Sequence, residues 1–240
     1  MWALCVVVVL AAEPSLTDLL LAIDDASRGE QSAAVISMHV KTARYERTMK
    51  MAAWSKGTEQ TLVRLLEPEK DAGVTTLKVG ENLWNYLPKV DRTMKVPAGM
   101  MSGSWMGSHF SNDDLVKDSR LSEDYACQLA PRLADTAANY VVQCTPKPNA
   151  PVVWGRVDAT LTAERVPVSV EFRDESDVLV RTMGYSDVRL VDGRLRPMKM
   201  RLTPHETAGE FTELTFESLD FSVQLDDTLF SLQALTRATP

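Results

Sequence analysis

The feature that most constrains the fold is a long succession of short apolar segments separated by turn-forming residues. Motifs such as Lys56-Gly57-Thr58 and Asp192-Gly193 supply the turn chemistry between neighbouring segments. Short strands that follow one another through tight turns predict an antiparallel β meander rather than βαβ units. The predicted strands span residues 34–44, 46–55, 60–66, 74–79, 83–87, 92–96, 125–129, 140–144, 154–162, 167–173, 178–185, 194–202 and 210–223.

One segment near the N-terminus is predicted to form a helix. Ser15 and the residues after it provide capping side chains, and Gly29 would end the helix. The apolar residues at helical spacing are Leu16, Leu19, Leu20 and Ile23. Such an amphipathic helix must pack its apolar face against another part of the chain.

The first 12 residues are apolar throughout and are too short to span a bilayer as a helix. This pattern is typical of a signal segment, so we expect export to the periplasm. The four consecutive valines leave a buried first strand as the alternative. No linker or shift in composition divides residues 13–240, which we therefore expect to form one domain.

Two cysteines, Cys127 and Cys144, remain after removal of the predicted signal segment. In an exported chain such a pair suggests one disulfide, because a hairpin could place the two residues opposite each other. Two buried free thiols are the alternative. The spacing of the cysteines does not fit a metal site.

Composition narrows the functional classes. A charged fraction of 25% and a hydrophobic fraction of 45% are ordinary values for a folded globular chain. The net charge of −7 argues against nucleic acid as a partner, because a phosphate-binding surface needs an excess of basic residues.

The segment from Pro97 to Lys117 breaks the β pattern. It combines three methionines, one tryptophan and one phenylalanine with small and turn-forming residues. Methionine adapts to ligands of varied shape, so this composition suits a flap over an apolar cavity that opens through few fixed contacts. A loop that simply fills the core is the alternative.

The sequence offers no convincing catalytic centre. The three histidines, His39, His109 and His205, lack metal-ligand spacing, and the acidic pairs resemble caps and solvated turns. The nearest candidates for acyl chemistry are Ser104, Asp113 and His109, but Ser104 is at the wrong position for a nucleophile elbow. We therefore expect a protein that is not an enzyme and that uses no cofactor or metal.

Several motifs resemble those of the outer-membrane lipoprotein-sorting family, the LolA-like superfamily. Residues 80–88 are similar to its W-x-Y-x-P strand, and residues 102–115 resemble its SWMGS-x-F-x-N-D-D-L element. Residues 178–183 resemble its L-x-R strand, and residues 197–200 and 226–231 resemble its closing elements. The similarity extends from about residue 15 to residue 235, and the element around Trp105 is the most specific part.

This resemblance implies an open antiparallel β-barrel, a half-barrel in which an N-terminal helix and short helices cover an apolar cavity for acyl chains. Within this family, the chain more narrowly resembles the branch of members that is associated with RND/MMPL-type or ABC (FtsX-like) exporters. The expected function is therefore a periplasmic carrier that receives lipid or lipoprotein acyl chains from an inner-membrane exporter and delivers them to an outer-membrane acceptor.

The predicted ligand-binding residues are large apolar side chains of the strands and of the flap. For each strand residue, plain core packing is the alternative to lining a cavity. The set comprises Trp54, Trp84, Tyr86, Leu87, Met94, Met100, Met101, Trp105, Met106, Phe110, Met198 and Met200.

Two other functional classes stay open on the sequence. One is an envelope-stress sensor or regulatory binding module on the same fold, which would bind the periplasmic domain of a membrane partner. The other is an enzyme that acts on acyl groups.

Overall fold

The computed structural model describes residues 13–24, 30–116, 121–130 and 140–236. The predicted signal segment and the predicted helix end at Gly29 lie outside the described residues. These residues contain three short α-helices: Leu16–Asp24 (α1), Asn112–Val116 (α2) and Leu121–Asp124 (α3). In addition, 3-10 turns span Glu69–Asp71, Pro88–Val90, Ala98–Met100, Trp105–Gly107, Asp227–Phe230 and Ala234–Thr236. Among the described residues, no helix has the length and apolar character needed to cross a membrane.

Thirteen strands form one antiparallel sheet, as the meander pattern predicts. Six lie in the first half of the chain: Gln31–Lys41 (β1), Glu46–Lys56 (β2), Gln60–Glu67 (β3), Thr75–Val79 (β4), Asn82–Leu87 (β5) and Arg92–Lys95 (β6). Seven lie in the second half: Tyr125–Leu129 (β7), Tyr140–Pro146 (β8), Arg156–Leu161 (β9), Pro167–Arg173 (β10), Leu179–Val191 (β11), Arg194–Pro204 (β12) and Phe211–Asp220 (β13).

The strand order is β6-β5-β4-β3-β2-β1-β13-β12-β11-β10-β9-β8-β7. The first half runs from the centre to one edge, and the second half runs from the other edge back to the centre. Pairing of β1 with β13 joins the two halves. Strands β6 and β7 form the edges of the described sheet, so the sheet is open.

The register defines one continuous apolar side of the sheet, called here the inner face. Because directly opposed residues point to the same side, the ladder pairs trace a row across β7 to β13, β1 and β2. That row consists of Leu129, Val142, Ala159, Val170, Met183, Leu202, Thr212, Val40 and Arg47. Helix α1 covers part of this face, and its Leu19 and Leu20 pack in the cluster that contains Val142 and Val170.

The opposite side of β2 to β5 has its own cover. Phe230 and Leu235 of the C-terminal segment pack on Leu62 and Leu77. The Arg64 Nη2 donates a hydrogen bond of 2.8 Å to the carbonyl oxygen of Ala234, which fixes the segment to the sheet. This side is called the outer face below.

Cys127 and Cys144 form a disulfide with an S–S distance of 2.11 Å. They are directly opposed residues of β7 and β8, which pair in antiparallel orientation at the sheet edge. The structure thus contains the disulfide that the sequence suggested.

The clearest departure from the predicted strands is in β11. The sequence suggested an end at Tyr185, but the strand continues to Val191. Gly184, Ser186 and Asp187 resemble turn residues, yet pairing with β12 extends through the hairpin as far as Val191 and Arg194.

Candidate functional site

Residues 97–116, which we call the strap, follow β6 and lie against the inner face. Trp105 is only 5% exposed and packs in one cluster with Ala34, Val63 and Phe216. Its indole Nε1 donates a hydrogen bond of 3.2 Å to Thr76 Oγ1, which lies on β4 in the row opposite Val63. The strap is therefore tied to the sheet through its largest side chain.

The strap has a compact backbone of its own. The Trp105 amide donates to the carbonyl oxygen of Phe110 at 2.8 Å, and the Asn112 amide donates to that of Gly103 at 2.9 Å. Met106 and Gly107 both have positive φ angles, 48° and 63°. A Cβ atom at Gly107 would lie 2.8 Å from the Tyr45 hydroxyl, and the positive φ angle also favours glycine at this position.

The first anchor of the strap is polar and lies near the start of β2. The Tyr45 hydroxyl and the Arg47 guanidinium donate hydrogen bonds to the carbonyl oxygens of Gly107 and Met106. The ring nitrogens of His109 lie 2.8 Å from Thr212 Oγ1 and 3.0 Å from Glu210 Oε2. The hydrogen bond with His109 is the main reason why the pKa of the Glu210 carboxyl is lowered.

The second anchor is an ion pair between α2 and β11. Arg181 donates two hydrogen bonds to the Asp114 carboxylate, at 2.6 and 2.9 Å. Burial disfavours the charge on Asp114, but Arg181 and the Ser111 hydrogen bonds outweigh it and hold the pKa of Asp114 below its usual value. Together the anchors give the strap more fixed contacts than its glycine-rich sequence suggested.

The surface beneath the strap is rich in methionine. Met38, Met49, Met51 and Met198 are buried in the same cluster as Trp105, and Met106 and Met200 pack against it. Methionine side chains can repack around different neighbours because they are unbranched and polarizable. This part of the inner face is therefore an apolar, methionine-rich surface that Trp105 covers.

The structure divides the predicted ligand-binding residues between two sides of the sheet. Trp105, Met106, Phe110, Met198 and Met200 come together on the inner face. Met94 is 37% exposed and lies at the edge of the inner face. It pairs with Asn85, which in turn pairs with Thr76, so the three side chains point to the same side of the sheet. Met100 is 63% exposed and Met101 half-buried at the start of the strap.

Three other predicted residues lie on the outer face. Trp54, Trp84 and Tyr86 pack against the C-terminal segment, in the cluster of Phe230. Leu87 is half-buried at the end of β5. The structure therefore does not bring these three aromatic residues together with Trp105, and their contact with a ligand stays a prediction.

Sequence reasoning missed several residues of the inner face. Met38, Met49 and Met51 alternate with less buried residues along β1 and β2, and that alternation was the available signal. The anchors Arg47 and Arg181 had no such signal, because an arginine in a strand resembles a solvent-facing residue.

The residues considered for catalysis are not assembled into a reactive group. Ser104 donates its hydroxyl hydrogen bond to the carbonyl oxygen of Ser108, while the ring of His109 contacts Thr212 and Glu210. His39 contacts Glu46 and His205 contacts Thr182, so the three histidines lie in separate places. Within residues 13–24, 30–116, 121–130 and 140–236, no cluster of three or more potential metal ligands is found.

Three solved structures resemble the whole described sheet. The first is a DUF1329 family protein from Desulfovibrio piger, with a TM-score of 0.78 and 22% identity over 91% of this chain and 96% of that chain. The second, from Vibrio parahaemolyticus, is a domain whose name refers to outer membrane lipoprotein sorting, with a TM-score of 0.75 and 24% identity over 92% of this chain and 97% of that chain.

The third is a LolA superfamily protein from Nitrosomonas europaea, with a TM-score of 0.73 and 21% identity over 91% of this chain and 98% of that chain. These likenesses confirm the predicted LolA-like fold. A family model described as "Uncharacterized protein" matches residues 57–237. No curated protein matches the sequence.

Proposed function

Because the chain belongs to the family described as "Uncharacterized protein" that is matched over residues 57–237, and because its fold is LolA-like, we propose that it carries lipid or lipoprotein acyl chains. The observation that supports this most is the cover of the inner face. A methionine-rich apolar surface lies beneath a strap that polar side chains hold in place, rather than beneath a long packed helix.

The energetics explain why a carrier needs such a surface. Each acyl CH₂ group gains about 0.8 kcal/mol on leaving water, so a 16-carbon chain resists extraction from a bilayer by roughly 12 kcal/mol. A carrier must offer a comparable apolar surface. In the free protein Trp105 occupies this surface, and an acyl chain that displaces the indole would take over its apolar contacts.

The polar anchors suit this exchange. When the strap lifts, the hydrogen-bonding groups of Thr76, Arg47 and Thr212 can pair with water, so their net cost is about 1 kcal/mol each. The Asp114–Arg181 ion pair is the costlier anchor, because the Arg181 side chain is mostly buried. The apolar surface beneath cannot be satisfied in that way. The closed and lifted states would then differ mainly in which apolar group covers Met38 and Met200.

The same proposal includes the export of the carrier, its domain organisation, its compartment and its transport partners. Residues 1–12 would direct export, residues 13–240 would act as one domain, and the Cys127–Cys144 disulfide supports an oxidising compartment such as the periplasm. The acyl cargo would come from an RND/MMPL-type or ABC (FtsX-like) exporter of the inner membrane and pass to an outer-membrane acceptor.

Native mass spectrometry of the purified chain and titration with a fluorescent fatty acid test the proposal. We expect co-purified lipid or saturable uptake that palmitate competes away. Absence of both would overturn the carrier function.

Two variants locate the binding surface. Thr76→Val removes the hydrogen-bond acceptor of Trp105 and should tighten apparent binding several-fold, because less free energy is needed to lift the strap. Met200→Lys should abolish uptake by placing a charge on the inner face. Thr93→Val, a change at an exposed residue of the edge strand β6, is the control and should bind as the unmodified protein does.

A further inference from the structure

The hairpin of β11 and β12 extends beyond the ladders of its neighbours. β10 pairs with β11 only as far as Gly184, and β13 pairs with β12 only from Lys199 onward. Residues 187–197 therefore form a two-stranded projection, called here the arm, whose ladder has no third strand among the described residues.

One face of the arm is entirely apolar. Val188 opposes Pro197, and Leu190 opposes Leu195. Val188, Leu190 and Leu195 are 46%, 71% and 46% exposed. Three adjacent aliphatic side chains left this open to solvent are unusual for a surface without a binding role.

The arm borders a cleft of about 570 Å³, a size in the range of small-molecule sites. Leu195 of the arm and Leu21 and Ala22 of α1 form its apolar walls. Arg165, Arg194 and Arg196 line the same cleft. Arg196 is 6% exposed, lies two residues before Met198 on the same side of β12, and has its guanidinium carbon 4.0 Å from the ring centre of Phe221, so the cleft adjoins the inner face.

The charge of the lining favours an anionic group. Against the three guanidinium groups stand the carboxylates of Asp18 and Glu164. The Ser15 amide and hydroxyl donate hydrogen bonds of 2.9 and 2.8 Å to the Asp18 carboxylate and lower its pKa, and the charge of Arg165 lowers it further, so an anionic ligand would share Arg165 with Asp18. The local excess of arginine contrasts with the net charge of −7 for the whole chain.

Arg165 has a conformation that sets it apart from an ordinary surface arginine. Its φ angle is +63°, in the left-handed region that glycine and asparagine adopt at lower cost. It closes the turn between β9 and β10, where its amide donates to the carbonyl oxygen of Thr162 at 3.0 Å. Glycine can therefore replace Arg165 and remove the guanidinium without disturbing the turn.

We propose that this cleft binds the headgroup of a single anionic amphiphile, with its phosphate or carboxylate at Arg165 and Arg194 and its first methylene groups along Leu195 and Leu21, which line the same cleft. This assigns a ligand class to the carrier and rests on the proposed function. Guanidinium groups pair with such oxyanions through charge-assisted hydrogen bonds, while an adjoining apolar wall selects for an attached hydrocarbon chain.

Two lysolipids with the same palmitoyl chain test the headgroup preference: lysophosphatidylglycerol, which is anionic, and lysophosphatidylcholine, which is zwitterionic. Both are titrated into the full chain below the concentration at which they form micelles. We expect the anionic lipid to bind about tenfold more tightly. Arg165→Gly should abolish this preference without lowering the melting temperature, because glycine accepts the left-handed turn.

Each substitution at the cleft has a matched control substitution elsewhere on the surface. Leu195→Ser changes an aliphatic residue of the cleft wall that is 46% exposed, and it should weaken binding of both lysolipids several-fold. Val178→Ser changes an aliphatic residue that is 57% exposed at the other end of β11 and should leave binding unchanged. Arg44→Gly removes the same charge as Arg165→Gly, but in the turn between β1 and β2, and should keep the headgroup preference.

The outcomes distinguish the two proposals. If neither lysolipid binds, the carrier function itself fails. If both bind equally and Arg165→Gly has no effect, the carrier function stands and the headgroup site is overturned. Binding only to intact anionic vesicles, with none of the single lipids, would also overturn the site and would indicate a membrane-docking surface instead.

Discussion

The Arg181 guanidinium on β11 holds the Asp114 carboxylate of the strap through two hydrogen bonds of 2.6 and 2.9 Å. The same guanidinium lies 4.5 Å from the ring centre of Trp154 and 4.6 Å from that of Phe172. One arginine thus connects the end of the strap to the apolar cluster beneath α1. Movement of the strap has to break or carry along this pair.

Loss of the Asp114 carboxylate should destabilise the fold. Asp114→Ala leaves the Arg181 guanidinium mostly buried without its ionic partner, so the free energy of unfolding in urea should fall by about 3 kcal/mol. Asp187→Ala is the control: its pair with Arg189 has the same N–O distance of 2.6 Å, but the Arg189 side chain is 56% exposed. The control should lose less than about 1 kcal/mol, and equal losses would contradict a special role for Asp114.

The same pair predicts a pH dependence. The pKa of Asp114 is lowered in the folded protein from its ordinary value of 3.8. Its contribution to stability is therefore complete above that value and is lost as the pH falls through the lowered folded pKa. The difference in melting temperature between the unmodified protein and Asp114→Asn should be constant from about pH 7 to 5 and should narrow below about pH 4. A difference that widens on acidification would contradict the assignment.

A single methyl group on Gly107 should loosen the strap. Gly107 has a φ angle of +63°, and an added Cβ would lie 2.8 Å from the Tyr45 hydroxyl. Gly107→Ala should lower the free energy of unfolding by about 1–2 kcal/mol and speed fatty-acid uptake. Gly99→Ala, in the same strap with nothing within 4 Å, should change neither quantity. Slower uptake in Gly107→Ala would indicate that the strap does not limit entry.

A substitution in the core of the outer face should lower the stability of the fold without changing fatty-acid binding. Phe230 is 5% exposed on the outer face, so Phe230→Ala should cost about 3–5 kcal/mol of unfolding free energy. Fatty-acid affinity of the folded variant should not change. Leu232→Ala, at a residue 52% exposed in the same segment, should affect neither property. A fall in affinity for Phe230→Ala would instead place the ligand near Trp54 and Trp84.

The strands could be predicted from sequence because each depends on local alternation and turn residues. All thirteen predicted segments correspond to strands, and the error in β11 arose where Gly184 and Asp187 imitate a turn. The order of the strands along the chain does not reveal which face of the sheet each residue occupies. The sequence therefore could not show that Trp54 and Trp84 lie on the opposite face from Trp105. Their face depends on ladder pairs such as Trp54 with Leu62 and Leu77 with Trp84.

The composition of residues 97–116 identified the strap, but the sequence did not show which residues anchor it to the sheet. Anchors such as Tyr45, Arg47 and Arg181 lie far from residues 97–116 in sequence and come together only through the fold. Pairing partners at such separations depend on the register and curvature of the whole sheet, which a short motif does not encode.

Hydrogen exchange of the strap in the full chain, with and without bound palmitate, tests the central claim most directly. The amides of Trp105 and Asn112 are protected in the free protein by hydrogen bonds to Phe110 and Gly103. If an acyl chain replaces the strap on the inner face, both amides exchange faster when palmitate is bound, while those of β1 and β13 stay protected. Palmitate binding that leaves the strap as protected as before would contradict the account.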